Sequence, residues 1–192
     1  MARGFSEQEL REIRQQLIDE AKEQYQTKGF KTGIKDVTDA IGIAPGSFYK
    51  FFTSKEELIF TILENEEASI KATLLNEFEQ VTSPDEIASF LLRGIELASD
   101  NPFIELMMSP TQMSALSRKI PKEQFDRHMR QDQFSIEKIL PIQNHPKKKT
   151  ISSAIRAFFL LTMHKREIGK DEFQDTLHFY ARALAHEILR ED

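Results

Sequence analysis

Residues 33–55 have the sequence GIKDVTDAIGIAPGSFYKFFTSK, and this stretch decides what fold the chain can adopt. Apolar residues recur at helical spacing from Ile34 to Ile41, and Gly42 ends this helix after about two turns. Pro45 suits the first position of a second helix, where its missing N–H is not needed. Two inward-facing phenylalanines follow, so the outer side of this second helix keeps small and polar groups. Two short helices around a glycine turn indicate a helix-turn-helix.

Helix start signals continue on both sides of this stretch. Ser6 with Glu9 and Ser54 with Glu57 both have the spacing of a capping box. The first predicts a helix that ends at Gly29, and the second predicts a long connecting helix to about Glu79. A third signal combines a cap, a proline and a glutamate at residues 83–86.

The remaining chain also favours helices. A short helix is expected from Asn101 to Met108, another from Pro121 to Leu140, and a last pair over about 150–167 and 171–190. Residues 111–119 show no clear period. No alternating strand pattern occurs, so the sequence predicts an all-α protein of about nine helices. A three-helix head spans residues 1–53, and a helical regulatory and dimerisation domain spans 54–192.

Composition narrows the function classes. The 192 residues include no cysteine, which excludes disulfides, thiolate metal sites and a cysteine nucleophile. No apolar run is long enough for a transmembrane helix or a signal peptide, so a soluble cytoplasmic protein is expected. The formal net charge is −5, yet the first 55 residues hold nine Lys/Arg against eight Asp/Glu. This asymmetry has the sign expected for a DNA-binding head on an acidic body, although it is small.

The last two predicted helices are apolar on more than one face, which predicts burial on more than one side. A second copy of the chain is the favoured partner, and two helices from each copy would form a four-helix bundle. The alternative is that both helices lie in the middle of the monomer. The residues expected at the dimer interface are Ile155, Phe159, Phe173, Leu177, Tyr180, Leu184 and Ile188.

The segment GFKTGIKDVTDAIGIAPGSFYKFFTSKEEL resembles the DNA-binding region of the TetR family of bacterial transcriptional regulators. Its most specific part is Gly42-Ile43 followed by Gly46-Ser47-Phe48-Tyr49, Phe52 and Ser54-Lys55-Glu56. The resemblance covers about the first third of the chain. It implies a homodimer that binds double-stranded operator DNA and responds to a small molecule in its helical body.

By position, the resemblance also implies roles for individual residues. Lys35, Pro45, Gly46 and Ser47 would approach base edges, whereas Tyr49, Lys55 and the backbone near Thr32 and Gly33 would contact phosphates. Lys50 faces outward beside them. The chain departs from the family's habit at four positions, which are Gly33, Thr38, Ala44 and Phe51. Ala44 replaces the usual hydroxyl cap, at a loss of about 1 kcal/mol.

The body is rich in phenylalanine and methionine, which line adaptable apolar pockets as well as ordinary cores. A mostly apolar effector is therefore expected, with these candidate contacts: Phe90, Phe103, Met107, Met108, Met113, Phe125, Met129, Phe158, Phe159 and Met163.

Catalysis is not expected, because the five histidines lack metal-site spacing and no phosphate loop or nucleophile elbow occurs. No cofactor or metal is expected. The leading prediction is a ligand-responsive repressor. The alternatives are an activator with the same head, and a helical small-molecule-binding or interaction protein of the same fold without transcriptional control.

Overall fold

Helices supply all regular secondary structure in the computed structural model, which describes residues 6–120, 122–124, 126–128 and 139–190. The predicted all-α class is confirmed, with nine α-helices and three 3₁₀ segments among the described residues. The α-helices are α1 (Glu7–Lys28), α2 (Ile34–Ala40), α3 (Lys55–Glu77), α4 (Pro84–Ser99), α5 (Pro102–Met107), α6 (Pro110–Ser117), α7 (Lys148–Leu160), α8 (Lys165–Ile168) and α9 (Phe173–Ile188). None of them is long and apolar enough to cross a lipid bilayer.

The predicted helix starts and stops of the head are present. Ser6 caps α1 by accepting a hydrogen bond from the Glu9 N–H, and the Glu9 carboxylate accepts from the Ser6 N–H at 2.6 Å. Gly29 ends α1 with φ +68°, and Gly42 forms the turn after α2 with φ +75°. Both glycines lie in the left-handed region that side chains with a Cβ rarely adopt.

Two segments differ from the sequence predictions. The second helix of the helix-turn-helix is a 3₁₀ helix, Pro45–Lys50, whose N-cap Ala44 has no side-chain oxygen to hold an α-helical first turn. Residues 111–119 showed no period, yet α6 occupies most of them. Pro110 is its first residue, a position where the missing N–H of proline is not needed. Most of the helix expected from Pro121 to Leu140 lies outside the described residues.

The first hydrophobic core, called the head core, joins the head to α5 and α6. The α1 stripe, α2 and the 3₁₀ helix contribute buried apolar side chains, and the first half of α3 packs across them. Side chains of α5 and α6 belong to the same cluster. The buried members that define it are Leu17, Tyr25, Val37, Phe48, Phe52, Leu58, Ile62, Phe103, Ile104, Met107 and Leu116.

The second core, called the body core, forms where α9 packs along α4 and α7 packs beside α9. Its fully buried members include Ile87, Leu91, Ile155, Leu177 and Ala181. Only the C-terminal part of α3 reaches it, through Leu74. Helix α3 therefore runs from the head core to the body core and connects the head to the body.

Candidate functional site

The 3₁₀ helix presents the candidate DNA-reading surface of the head. Phe48 is fully buried beneath it, whereas the neighbouring Tyr49 is 61% exposed. The edge of one ring faces the other, with 5.4 Å between their centroids. The phenol of Tyr49 is therefore held at the surface by a buried anchor. The other predicted contacts of this segment are exposed or half-buried at the same surface: Pro45, Gly46, Ser47 and Lys50.

Lys35 also lies at the surface, on α2. Its ammonium donates to the Asp39 carboxylate at 2.8 Å, and this hydrogen bond raises the pKa of Lys35. Both side chains are largely exposed, and exposed ion pairs contribute little free energy. The lysine can therefore exchange Asp39 for a DNA group at small cost.

The predicted phosphate contacts at the start of α2 have partners within the protein. The Lys55 ammonium donates to the Thr32 carbonyl oxygen at 2.6 Å and lies 5.5 Å from the centroid of the Tyr25 ring. Burial lowers the pKa of Lys55. The Gly33 N–H donates to the Asp36 carboxylate at 2.6 Å. Lys55 thus fastens the α1–α2 turn to the start of α3, which positions the head.

Sequence reasoning missed a buried amide inside the head. Gln24 is 7% exposed, and its side-chain N–H group donates to the Glu20 carboxylate at 2.6 Å and to the Asp36 carbonyl oxygen at 3.2 Å. The bond to Asp36 joins α1 to α2, and the bond to Glu20, within α1, holds the amide in place. The available signal was a polar residue between Ala21 and Tyr25, inside an otherwise apolar stripe.

A second missed feature links the head to the body. The Glu66 carboxylate of α3 accepts from the Lys22 ammonium of α1 at 2.6 Å and from the Asn101 amide at 2.6 Å. Asn101 is the N-cap of α5, since its side-chain oxygen accepts from the Phe103 and Ile104 N–H groups. The Glu66 side chain is only 12% exposed, so water competes weakly for these bonds. We call Lys22, Glu66 and Asn101 the head–body link.

An open groove of about 800 Å³ lies in the body, beside the start of α5. The end of α3, one side of α4, α5, the start of α8 and one side of α9 line it. Its floor is apolar and its rim carries charged side chains of both signs. Among the candidate effector contacts whose side chains the structure describes, only Met108 lines this groove.

The other candidate effector contacts lie elsewhere. Phe90 and Phe158 are buried in the body core, and Phe103 and Met107 in the head core, where neighbouring side chains already fill the space around them. Phe159 and Met163 are half-buried. Phe125, Met129 and the side chain of Met113 lie outside the described part of the structure. The amino-acid composition could not distinguish residues of a hydrophobic core from residues that line a pocket, because both use phenylalanine and methionine.

The predicted dimer stripe is mostly covered within one chain. Ile155, Phe173, Leu177 and Ile188 are at most 4% exposed, where α9 packs along α4 and beside α7. Their place at an interface between two copies stays a prediction. Phe159 is half-buried, and Leu184 packs partly on the body core. Large apolar side chains remain exposed on the outer faces of α7 and α9: Leu160 (52%), Phe179 (69%) and Tyr180 (46%).

Comparison with known proteins supports the helix-turn-helix prediction for the N-terminal region. Residues 17–62 match the family model described as "Bacterial regulatory proteins, tetR family". The chain is 36% identical over 59 residues to the HTH-type transcriptional regulator TcmR of Streptomyces glaucescens. This match spans 30% of the chain and 26% of TcmR, so it covers about a quarter of that curated relative. The resemblance noted from the sequence is confirmed for the N-terminal part.

Solved structures agree over nearly the whole chain. A crystal structure assigned to the TetR family of transcriptional regulators, from Mesorhizobium loti, aligns with a TM-score of 0.61 at 16% identity, covering 94% of this chain and 96% of that one. RolR in complex with resorcinol aligns with a TM-score of 0.58 at 17% identity, covering 97% and 99%. At such identities the likeness shows the fold alone.

Proposed function

We propose that this chain, whose residues 17–62 match the family model of the tetR bacterial regulatory proteins, is a dimeric DNA-binding transcriptional regulator of that family. In this proposal it is a cytoplasmic repressor that binds a palindromic operator and is released when a small molecule binds the C-terminal domain. No catalytic step is assigned to it.

The observation that carries the DNA-binding proposal is the outer surface of the 3₁₀ helix. Phe48 and Phe52 are buried and anchor the segment, while Tyr49 is the second most exposed of the large hydrophobic side chains among the described residues. A short, anchored helix with small residues at its start brings backbone and hydroxyl groups close to base edges. The flanking Lys35 and Lys50 supply positive charge for the phosphates.

Dimerisation is proposed through the outer faces of α7 and α9. Phe179 and Tyr180 are neighbours with an edge-to-face geometry, 5.7 Å between centroids, and Leu160 is the exposed apolar residue at the end of α7. Two copies that bury these faces would form a four-helix bundle around a two-fold axis, which also places two heads on a palindrome. The weak positive charge of one head makes two heads necessary for useful affinity.

Effector response is proposed through the groove and the head–body link. Asp100 and Glu105 line the groove on either side of Asn101, and Asn101 contacts Glu66, which also holds Lys22 of the head. A molecule seated in the groove therefore touches the segment that carries the N-cap of α5. A shift of α5 would be transmitted to the head, because both belong to the head core.

Selection of random duplex DNA by the purified protein tests the first part of the proposal. The expected result is an enriched palindrome, which is then used in fluorescence anisotropy titrations. Tyr49→Ala and Lys50→Ala should weaken binding to every sequence, and Lys50→Ala should also reduce the salt slope by about one because it removes a positive charge. Ser47→Ala and Lys35→Ala should change sequence preference instead.

Lys170→Ala serves as a matched control for charge, because Lys170 is an exposed lysine of the body, outside the head that carries the proposed DNA contacts. It should leave DNA affinity unchanged. Lys55→Ala requires a parallel unfolding measurement, since its ammonium is part of the fold. Absence of any enriched palindrome, or normal binding by Tyr49→Ala and Lys50→Ala at matched salt, would favour a helical binding protein without transcriptional control.

A further inference from the structure

The groove lies at the seam between the two hydrophobic cores. Ile95, Phe173 and Leu177 on its floor belong to the body core, whereas Met108 packs against the head core. Its volume of about 800 Å³ suits a small organic molecule. An occupant would contact both cores at once, so its chemistry is set by the groups that face the seam.

The positive groups around the groove already have partners. The Arg93 guanidinium donates twice to the Glu77 carboxylate at 2.8 Å and once to Glu96 at 2.7 Å. The Lys165 ammonium lies 5.5 Å from the centroid of the Phe173 ring. Arg93 is shared by two carboxylates, so the α3 and α4 side of the rim keeps a net negative charge, and Lys165 covers part of the aromatic floor while it keeps its own charge.

Two carboxylates on the α5 side of the groove have no such partners in the part of the chain that the structure describes. Asp100 and Glu105 are exposed to the groove, and neither carboxylate has a hydrogen bond or ion pair within the described residues. Asp100 is also the C-cap of α4, where the terminal carbonyl groups add to the negative potential. The groove is lined by four carboxylates (Glu77, Glu96, Asp100, Glu105) and two cationic side chains (Arg93, Lys165), so its net charge is negative, and the two carboxylates without partners are on the α5 side with Met108. His178 stands on the opposite wall, on α9.

We propose that this groove binds an amphipathic organic cation, with its apolar part on Ile95, Met108 and Leu177 and its charge between Asp100 and Glu105. This inference rests on the proposed effector response and names the class of effector. Charge complementarity selects a cation over a neutral or anionic molecule of the same shape. It also replaces the sequence-based expectation of a mostly apolar effector with an effector that carries a charge.

A pair of ions with the same shape and opposite charge tests the proposal. Tetraphenylphosphonium and tetraphenylborate are titrated separately into the DNA-free, full-length protein by isothermal calorimetry. The cation should bind in the micromolar to millimolar range, and the borate at least tenfold more weakly. Asp100→Asn and Glu105→Gln should each weaken cation binding about twofold to fivefold, the size of a partly exposed ion pair. The double variant should weaken it about tenfold.

Glu23→Gln is the matched control, because Glu23 is an exposed glutamate on α1 away from the groove. It should leave cation binding unchanged. Both groove variants remove carboxylates without partners, so circular dichroism should show the same fold. Equal binding of both ions, cation binding that the groove variants do not change, or no cation binding at millimolar concentration would each overturn the proposal.

The cation titration and the operator titration, the latter repeated with the cation present, together distinguish this inference from the proposed function. If the cation binds through Asp100 and Glu105 but leaves operator affinity unchanged, the groove assignment stands and the effector role fails. If the protein selects a palindrome but does not bind the cation, the groove assignment fails and the DNA-binding proposal stands.

Discussion

Exchanging the donor and the acceptor between Asn101 and Glu66 tests the head–body link. Asn101 performs two tasks, since its oxygen caps α5 while its amide donates to the Glu66 carboxylate at 2.6 Å. Asn101→Ala removes both. Loss of the cap lowers the free energy of unfolding by about 1 kcal/mol. Loss of a hydrogen bond to a charged group adds about 1.5 kcal/mol, so the expected total is about 2–3 kcal/mol.

Asn101→Asp separates the two tasks. The aspartate oxygen still caps α5 and is favourable at a helix N-terminus. Its carboxylate, however, stands against Glu66, where the amide donor was. The lost bond and the repulsion together should lower the free energy of unfolding at pH 7 by about 2 kcal/mol after side-chain relaxation. This loss in the free energy of unfolding should become smaller near pH 5, because one of the two carboxyl groups can then be protonated and donate a hydrogen bond to the other.

The double variant Asn101→Asp with Glu66→Gln restores a donor facing an acceptor, now with their positions reversed. Its free energy of unfolding should exceed the additive expectation from the two single variants by about 1–2 kcal/mol. Urea unfolding followed by circular dichroism at pH 7 and pH 5 is measured for five proteins: the wild type, Asn101→Ala, Asn101→Asp, Glu66→Gln and the double variant. Additivity within about 0.5 kcal/mol, together with a deficit of Asn101→Asp that is the same at both pH values, would refute the link.

Three further predictions concern packing, assembly and pH. Gly94→Ala would place a Cβ 2.8 Å from the ring of Phe159, and this clash should lower the free energy of unfolding by about 1 kcal/mol. In a Phe159→Ala background the clash is absent and only the gain in helix propensity remains, so the same substitution should raise the free energy of unfolding by a similar amount. Phe179→Asp should convert a dimer into a monomer in sedimentation velocity at micromolar concentration, and an unchanged mass would exclude this face as the interface. Hydrogen bonds from the backbone N–H groups of Thr82 and Ser83 lower the pKa of Glu86 from its ordinary 4.5. The stability that Glu86 adds relative to Glu86→Gln is therefore fully present above pH 4.5, and it is lost as the pH falls through the lowered pKa of the folded state. Thermal unfolding of both proteins from pH 7 to pH 3 should show the two curves converge.

The local features of the fold could be predicted from the sequence because they depend on neighbours along the chain. The Ser6 and Ser83 caps satisfy N–H groups three residues away, and Gly29 and Gly42 supply backbone angles that other residues rarely adopt. The apolar period of α1 marks its buried face. Helix α6 escaped prediction, since its start at Pro110 resembled a break and its apolar residues are few.

The candidate sites were predicted unevenly, because their roles depend on distant partners. Tyr49 lies at the surface, as a DNA contact requires. Lys55 was expected to meet a phosphate, and the structure places its ammonium on the Thr32 carbonyl, 23 residues earlier in the chain. The head–body link joins Glu66 to Asn101 across 35 residues. Spacing along the chain carries no signal for such a contact.

The sequence by itself determined the helix-turn-helix, the long α3 that follows it, and the apolar character of the last helices. These depend on backbone conformation and on periodicity, which neighbouring residues decide. Only the tertiary structure decided what covers each apolar face. Helix α9 packs against α4, which buries Phe173 and Leu177 and leaves Phe179 and Tyr180 exposed on the outer face. Likewise, α5 and α6 pack on the head, and the groove with its unpaired Asp100 and Glu105 opens at the resulting seam. The physical reason is that hydrophobic burial is non-directional, so the pattern shows that a face is covered without showing what covers it.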